Sequence, residues 1–376
     1  EAKTIGCFPV ESPAMMNLLR RMKPENLDDL IHALALIRPG PTESGMKEAF
    51  LRRREGRASP SDPLLAKILP ETGGLMFYEE QVMQVAERVA GFPPEEAELL
   101  RRQLKKSRVD EALRHKFLDR AESRGYAQAE IQDLWQKMEK FSAYSFNRAH
   151  SASYALMAYE AVYLKAHYPL VYMVAVLNAA GGYYQLPEYI EEAKRLGLTI
   201  LGPDVNRSGY RFEVEGKAIR VGLGSIKNLT ARSLEKIINE RERDGVYLSV
   251  EDFLGRVKPG QSDLLALIQA GALDSLEPNR SQQVLHYFHG VSEVEVADIN
   301  DEEKKKLQLE KLGFLPAGDP LELMNGRRPP LRVAHLRELS GQVVELAVRV
   351  VDAREIRTSK GLTYFYLFED ESGQVE

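Results

Sequence analysis

Apolar residues recur at helical spacing through the first 200 residues, and this spacing constrains the fold more than any other feature. Val82, Val85, Ala86 and Val89 stand at positions i, i+3, i+4 and i+7, which places them on one face of an α-helix. The same spacing recurs in residues 131–138. Residues 1–200 are therefore predicted to be mostly helical and to bury these faces in a core.

The most apolar region, residues 151–177, is predicted to be a buried helical core. Charged residues and Pro169 interrupt it, so it never reaches the roughly 20 uninterrupted apolar residues of a membrane span. We expect no membrane partner. Residues 1–12 lack the pattern of a signal peptide, and because the chain begins with Glu1 rather than methionine, we expect it to be a piece of a longer protein.

The apolar pattern changes after residue 202. Residues 210–214 and 218–221 alternate like two short strands, which predicts a hairpin. A glycine-bearing turn at 222–229 then leads into a helix predicted over 231–242. The backbone amides of such a turn can bind a phosphate, and a plain structural turn is an equal alternative.

The sequence changes character again after residue 290. Residues 291–330 are acidic and then lysine-rich, and we interpret them as a linker ending in an exposed helix with a solvated lysine run. Residues 343–350 and 362–368 have the pattern of strands. Because so few strands cannot form an independent barrel, this last domain is predicted to be truncated.

Composition limits how nucleic acid could be bound. The chain has 51 Lys and Arg against 56 Asp and Glu, which excludes a positive field over the whole protein, so any nucleic-acid binding must be local. Residues 99–124 hold nine Lys and Arg against four Asp and Glu. Cys7 is the only cysteine, which excludes a disulfide framework and a zinc site of paired cysteines and predicts a cytoplasmic protein.

Residues 99–108 form a basic stretch on one predicted helix, whose first turn is expected at the prolines and glutamates of residues 93–96. Arg101 with Lys105 and Arg102 with Lys106 are i,i+4 pairs of like charge, and each pair costs a few tenths of a kcal/mol in an isolated helix. A bound polyanion would offset this cost. The alternative is a solvated face on which Glu98 pairs with both arginines.

A stiff loop at 37–41 carries Arg38 between apolar residues and prolines, with Gly40 freeing the backbone. An arginine on a rigid turn suits contact with a phosphate or a base pair. An ordinary surface arginine is an equal alternative.

Several ordered segments resemble one family, the alpha subunit of bacterial DNA polymerase III, a family C DNA polymerase. The matching segments are residues 5–13, 36–41, 44–46, 78–83, 99–102, 144–151, 164–169, 203–206 and 270–276. Residues 176–184 and the short linker resemble the error-prone branch more than the main replicase.

The resemblance implies a multidomain, mainly α architecture. Residues 1–202 resemble a helical fingers domain that includes the end of the palm at 1–12. Residues 203–290 resemble a small α+β helix-hairpin-helix domain that touches DNA and lies near the clamp site. Residues 291–330 are then the linker and exposed helix, and 331–376 a truncated, partial β OB-fold.

The resemblance also implies a function. The chain is expected to be the fingers and DNA-binding portion of a template-directed DNA polymerase, a nucleotidyltransferase. Its catalytic Mg²⁺ would be bound by palm aspartates upstream of Glu1, so we expect this fragment to hold no catalytic residue or metal and to be inactive alone. The alternative is a noncatalytic nucleic-acid-binding or clamp-adaptor protein that keeps the fold without a palm.

The resemblance implies roles for particular residues of the fingers. Those expected to bind the incoming dNTP are Arg101, Arg102, Lys105, Lys106, Asn147, Arg148, His150, Ser151 and Tyr154. Arg38, Gly40 and Gln81 are expected near the template or nascent base pair, with Gln81 as a support. Family members commonly continue the basic run where Ser107 interrupts it here, which leaves the pairing of cations with phosphates open.

The resemblance further implies partners for the following domain: primer-template DNA, the sliding clamp, and other replisome or mutasome subunits. Residues expected to bind the DNA backbone are Gly222, Gly224, Ser225 and Lys227. The family's first hairpin carries two glycines where this chain has Asn228-Leu229-Thr230. The clamp-motif candidates are Gln283, Leu285, Tyr287 and Phe288, with a plain amphipathic helix as the alternative.

Overall fold

The computed structural model describes residues 2–37, 45–59, 62–106, 108–142, 146–179, 181–289, 294–324, 329–358 and 361–376. It divides into two compact units, Glu1–Tyr163 (unit 1) and Leu164–Glu376 (unit 2). The division falls within a helix that begins at Arg148. The domain boundary expected at residue 202 stays a prediction.

Unit 1 is helical, as the apolar spacing predicts. Its helices are α1 (Pro13–Met22), α2 (Leu27–Leu36), α3 (Met46–Arg54), α4 (Pro63–Ile68), α5 (Glu79–Ala90), α6 (Pro94–Lys105), α7 (Glu111–Ser123), α8 (Gln128–Ser142) and α9 (Arg148–His167), which continues into unit 2.

Side-chain caps determine where several of these helices begin. The Ser12 hydroxyl accepts a hydrogen bond from the Met15 amide at 3.3 Å, and Asn26 Oδ1 accepts one from the Asp29 amide at 3.0 Å. Such caps satisfy amide groups that have no partner within the helix. Helix α6 instead begins with a proline, a residue without an amide hydrogen that suits this position.

The core of unit 1 surrounds Trp135, the single tryptophan of the chain. The predicted stripe of Val82, Val85 and Val89 is fully buried in the same cluster. Phe117 packs against Trp135 with ring centroids 5.3 Å apart. The core predicted from helical spacing is therefore confirmed.

The apolar region at 151–177 is helical but only partly buried, so the prediction of a buried core is wrong for its exposed side chains. Leu156, Met157, Tyr159 and Tyr163 are each about half exposed along α9. A high apolar content does not by itself show that a helix is buried, because much of the surface of a folded protein is also apolar.

Unit 2 combines short helices with two small sheets. Its further elements are α10 (Pro169–Ala179), α11 (Leu186–Arg195), β1 (Thr199–Leu201), β2 (Glu213–Glu215), β3 (Ala218–Arg220), α12 (Ala231–Asp244), α13 (Val250–Val257), α14 (Gln261–Ala270), α15 (Arg280–His289), α16 (Asp301–Leu312), β4 (Arg349–Thr358), β5 (Gly361–Asp370) and β6 (Gly373–Val375). The predicted mainly α fold class is confirmed.

The first sheet of unit 2 has the strand order β1-β3-β2. Strands β2 and β3 pair antiparallel, so the predicted hairpin is confirmed, although each strand is shorter than predicted. Strand β1 pairs with β3 in parallel. The helix predicted over 231–242 is α12.

Helix α16 lies within the span interpreted as a linker with an exposed helix, but it packs into unit 2. Gln308 Nε2 donates to the Ala270 carbonyl at 3.1 Å, and the Lys227 amide donates to the Lys311 carbonyl at 2.9 Å. Phe314 and Leu315, just after the helix, are fully buried. These contacts anchor α16 to unit 2, although most of its side chains are exposed or half-buried, so the interpretation as a linker with an exposed helix stays a prediction.

The second sheet has the order β4-β5-β6 with antiparallel pairing. Strand β4 begins at Arg349 rather than at Val343, because its ladder to β5 runs from Arg349 opposite Glu369 to Thr358 opposite Gly361. The partial OB-fold stays a prediction. No helix among the described residues is both long enough and apolar enough to cross a membrane.

Candidate functional site

Helix α6 carries the basic cluster and presents it on one side. Ala97, Leu100 and Leu104 are buried in the core of unit 1, which leaves the basic side chains on the remaining faces. Arg102 is 68% exposed, and Lys106, the C-cap residue of the helix, is also exposed. The packing of the apolar face thus fixes which way the cations point.

Glu98 binds both arginines of α6. Its carboxylate accepts from Arg101 Nε at 2.7 Å and Nη2 at 2.8 Å, and from Arg102 Nε at 2.6 Å. The hydrogen bonds from Arg101 lower the pKa of Glu98 to about 2. The pairing proposed as the alternative to polyanion binding is therefore present.

Glu79 is a second carboxylate that binds cations of the basic helix. Its Oε2 accepts from Arg101 Nη1 at 2.6 Å and from Lys105 Nζ at 2.8 Å, and its Oε1 accepts from Asn147 Nδ2 at 3.3 Å. The side chain of Glu79 is only 10% exposed. Burial alone would raise its pKa, but Lys105, Arg101 and Asn147 outweigh burial and hold the pKa below its ordinary value.

The start of α9 is tied to the start of α5. The Glu79 amide donates to the Phe146 carbonyl at 2.8 Å, and the Glu80 carboxylate accepts from the Arg148 amide at 3.1 Å. Asn147 Oδ1 accepts from the His150 amide at 2.9 Å. A carboxylate at a helix N-terminus is favoured by the helix dipole, so these contacts position Asn147 beside the basic helix.

Arg148 turns its side chain toward a different set of acids. Its guanidinium lies 3.1 Å from Glu71 and 3.3 Å from Asp28, and over the ring of Tyr78 at 5.6 Å. In this structure Arg148 thus flanks the Glu79 cluster instead of joining it.

Four aromatic rings form a row of contacts at the start of α9. His150 and Tyr154 have ring centroids 4.6 Å apart, Phe146 lies 5.4 Å from His150, and Phe8 lies 5.8 Å from Tyr154. Phe8 and His150 are exposed and Tyr154 is half-buried. Such a surface can accept a stacked base.

Ser151 and Gln81 are two predicted site residues whose side chains are buried. Ser151 is fully buried, and its hydroxyl has no hydrogen-bond partner within the described residues. Gln81 is buried, its Oε1 accepts from the amides of Phe77 at 2.6 Å and Tyr78 at 3.1 Å, and it supports the turn before α5. Arg38 and Gly40 lie outside the described residues.

Four of the nine residues predicted to bind nucleotide thus meet around two carboxylates. Arg101, Lys105 and Asn147 meet at Glu79, and Arg102 joins them through Glu98. Sequence reasoning did not assign Glu79 to the site, since 22 residues separate it from Arg101 and no spacing rule links them. Glu98 was visible in the sequence, because i,i+3 and i,i+4 spacing places it beside both arginines.

The glycine turn of unit 2 uses its amides internally. The Leu223 amide donates to Gly209 at 2.9 Å and the Gly224 amide to Tyr210 at 3.0 Å. A Cβ at Gly222 would overlap the backbone of Arg211, so the glycine permits close packing of two chain segments. Lys227 is exposed and Ser225 half-buried, so phosphate binding here would rely on side chains.

The clamp-motif candidate lies on α15. Gln283 is fully buried, and its Nε2 donates to the Glu277 carbonyl at 2.6 Å. Leu285 is half-buried, and the side chains of Tyr287 and Phe288 lie outside what the structure describes. The burial of Gln283 weighs against a clamp motif in this conformation.

No group of three or more His, Cys, Asp or Glu side chains among the described residues could hold a metal ion. The donor set described here therefore does not fit a catalytic metal site.

Family comparisons agree with this architecture. Residues 1–125 match the model of the bacterial DNA polymerase III alpha subunit finger domain, and residues 197–283 match a helix-hairpin-helix motif. The second match covers the glycine turn and α12 to α14.

Curated relatives extend the similarity along the chain. The chain is 32% identical to the DNA polymerase III subunit alpha of Aquifex aeolicus and 34% identical to that of Thermus aquaticus, in each case over 100% of this chain and 34% of the relative. It is 39% identical to the Campylobacter jejuni subunit over 72% of this chain and 24% of that relative. The chain spans about a third of the length of the first two relatives.

Proposed function

Because this chain belongs to the bacterial DNA polymerase III alpha subunit family, we propose that it forms the fingers and DNA-binding portion of a template-directed DNA polymerase. In this proposal unit 1 positions the incoming dNTP, and the helix-hairpin-helix region of unit 2 binds primer-template DNA. The activity, substrates and partners are proposed for the complete polypeptide, since the chain spans only about a third of the length of these relatives.

One observation carries the proposal: Arg101, Lys105 and Asn147 converge on a single carboxylate beside an exposed aromatic surface. A cluster of donors that holds a carboxylate also suits the oxygens of a phosphate. Phosphoryl transfer depends largely on positioning and on cations that neutralise charge. Aromatic rings that could stack on a base lie at the start of α9, next to Asn147.

Exposure divides the roles of the basic residues. Arg102, Lys105 and Lys106 are exposed, so we assign them to direct contact with the triphosphate. Arg101 is 17% exposed and bound by two carboxylates, so we assign it to holding the cluster in place. His150 and Tyr154 are assigned to stacking against the nucleotide.

The remaining components belong to the same proposal. Catalytic Mg²⁺ would be held by carboxylates of the complete polypeptide that lie outside the described residues. The sliding clamp and other replisome or mutasome subunits are proposed partners, although the buried Gln283 does not favour α15 as the clamp motif. The cytoplasm is the proposed location, consistent with a single cysteine.

Primer extension by the complete polypeptide tests the function. A labelled primer annealed to a longer template is incubated with the four dNTPs and Mg²⁺, and the expected result is template-directed extension. DNA binding without extension, in a polypeptide that lacks palm carboxylates, would instead support the noncatalytic adaptor.

A further inference from the structure

Glu79 lies among the basic residues and is bound by donors that also suit a phosphate oxygen. Arg101 Nη1 and Lys105 Nζ both bind its Oε2, at 2.6 and 2.8 Å, and Asn147 Nδ2 approaches its Oε1 at 3.3 Å. Guanidinium, ammonium and amide donors bind carboxylate and phosphate oxygens alike. An incoming anion must therefore compete with Glu79 for some of these donors.

The two cations on Glu79 differ in how firmly they are held. Arg101 is 17% exposed and makes two further hydrogen bonds to Glu98. Lys105 is 53% exposed, and its ion pair within the described residues is with Glu79 alone. An exposed lysine on a flexible stem exchanges partners easily, so Lys105 is the cation that can leave.

We propose that Glu79 is the internal counter-ion that the nucleotide triphosphate displaces from Lys105, so that Glu79 sets the affinity of the site for nucleotide. This inference rests on the proposed nucleotide-binding function. After the exchange Glu79 keeps Arg101 and Asn147 as partners, so the carboxylate is not left buried without a counter-charge. Lys105 then binds phosphate, and Arg101 stays in place.

The exchange predicts the effect of removing the negative charge. Glu79→Gln releases Lys105 before the nucleotide arrives, so the triphosphate no longer has to displace a carboxylate from this lysine. The Lys105 pair is exposed on one side, and such pairs contribute little, so the expected gain in nucleotide affinity is about two- to fivefold. The turnover number should change by less than about twofold, because Glu98 still holds Arg101.

Steady-state primer extension by the complete polypeptide tests this, with KM for dNTP and kcat measured separately. Glu96→Gln is the matched control, since Glu96 lies on α6, pairs with Lys116 at 2.6 Å and is not part of the cluster. We expect KM to fall with Glu79→Gln and to stay constant with Glu96→Gln. A merely structural role of Glu79 would lower kcat or stability and would not lower KM.

A double-mutant cycle ties the effect to Lys105. In a Lys105→Met background, Glu79→Gln should leave KM unchanged, because the cation that Glu79 withholds is gone. If Glu79→Gln unfolds the protein, Glu79→Asp keeps a negative partner for Arg101 but shortens the reach toward Lys105, so it should also lower KM. An unchanged KM in that variant would overturn the inference equally.

Two outcomes overturn the inference: an unchanged or raised KM in the Glu79 variants, or an equal fall in KM when Lys105 is absent. If the parent protein incorporates dNTP but Glu79→Gln does not lower KM, only this inference fails. If the parent protein incorporates no dNTP, the proposed function fails with it.

Discussion

Replacing Arg101 by alanine should destabilise unit 1, whereas replacing its neighbour Arg102 should not. Arg101 makes three charged hydrogen bonds, two to Glu98 and one to Glu79, and is 17% exposed. Arg102 makes one such bond, to Glu98 at 2.6 Å, and is 68% exposed. The two substitutions remove the same side chain from adjacent positions, so the exposed variant is a matched control.

The expected loss of unfolding free energy depends on which cationic partner each carboxylate retains. Removing one partner of a fully buried pair costs about 3–5 kcal/mol, but here Glu79 keeps Lys105 and Glu98 keeps Arg102. Hydrogen bonds to charged groups contribute about 1.5–3 kcal/mol, and we expect a loss in this range for Arg101→Ala. For Arg102→Ala the expected loss is below about 1 kcal/mol, as for other exposed ion pairs.

Trp135 makes the measurement specific to unit 1. It is the only tryptophan of the chain and is buried in the core of this unit, so its fluorescence reports unfolding of unit 1 alone. For a domain of this size, 1 kcal/mol shifts the melting temperature by about 2–4 °C. Arg101→Ala should therefore lower the transition by about 3–12 °C, and equal shifts in the two variants would refute the reasoning.

Three further predictions concern pH, packing and DNA binding. The pKa of Glu98 is lowered to about 2, so the ion pairs of Glu98 stabilise the fold above about pH 4.5 and this stabilisation is lost as the pH falls toward 2. Acid unfolding followed by tryptophan fluorescence should show a smaller pH dependence in Arg101→Ala. An unchanged acid profile in that variant would contradict the prediction. Gly222→Ala should destabilise unit 2 by about 1–3 kcal/mol, because the added methyl group would overlap the backbone of Arg211. Gly255→Ala should not destabilise it, because no atom lies near the added methyl group. Equal melting temperatures of the two variants by circular dichroism would refute the packing argument. If the chain contacts about four phosphates of duplex DNA, fluorescence anisotropy should give a slope of log affinity against log salt near −3 to −4, and salt-independent binding would show that the cations remain paired internally.

Local patterns in the sequence were sufficient where neighbouring residues decide the structure. Prolines before glutamates predict the start of α6, alternation around a glycine turn predicts the β2–β3 hairpin, and helical spacing predicts the stripe that surrounds Trp135. Each of these depends on contacts within a few residues, for which spacing rules hold.

Contacts between distant segments were not predictable in the same way. The convergence of Lys105 and Asn147 on Glu79 joins three segments, and nothing in the spacing of one segment reveals the others. The backbone bond between Lys227 and Lys311, which ties α16 into unit 2, leaves no signal in side-chain pattern. Charge patterning therefore predicted a helix in this region but did not reveal the contacts that anchor it to unit 2.

The most direct test of the nucleotide site compares the affinities of the complete polypeptide for dNTP and for primer-template DNA in single-turnover experiments. Arg102→Ala and Lys105→Ala each remove an exposed cation from the cluster, and Lys116→Ala removes one that pairs with Glu96 elsewhere. Losing one charge-assisted phosphate contact costs about 1.5–3 kcal/mol, so the two cluster variants should bind dNTP about 10- to 100-fold more weakly and bind DNA as before. Unchanged dNTP affinity in both variants, or a loss equal to that of Lys116→Ala, would contradict the assignment of α6 to the triphosphate.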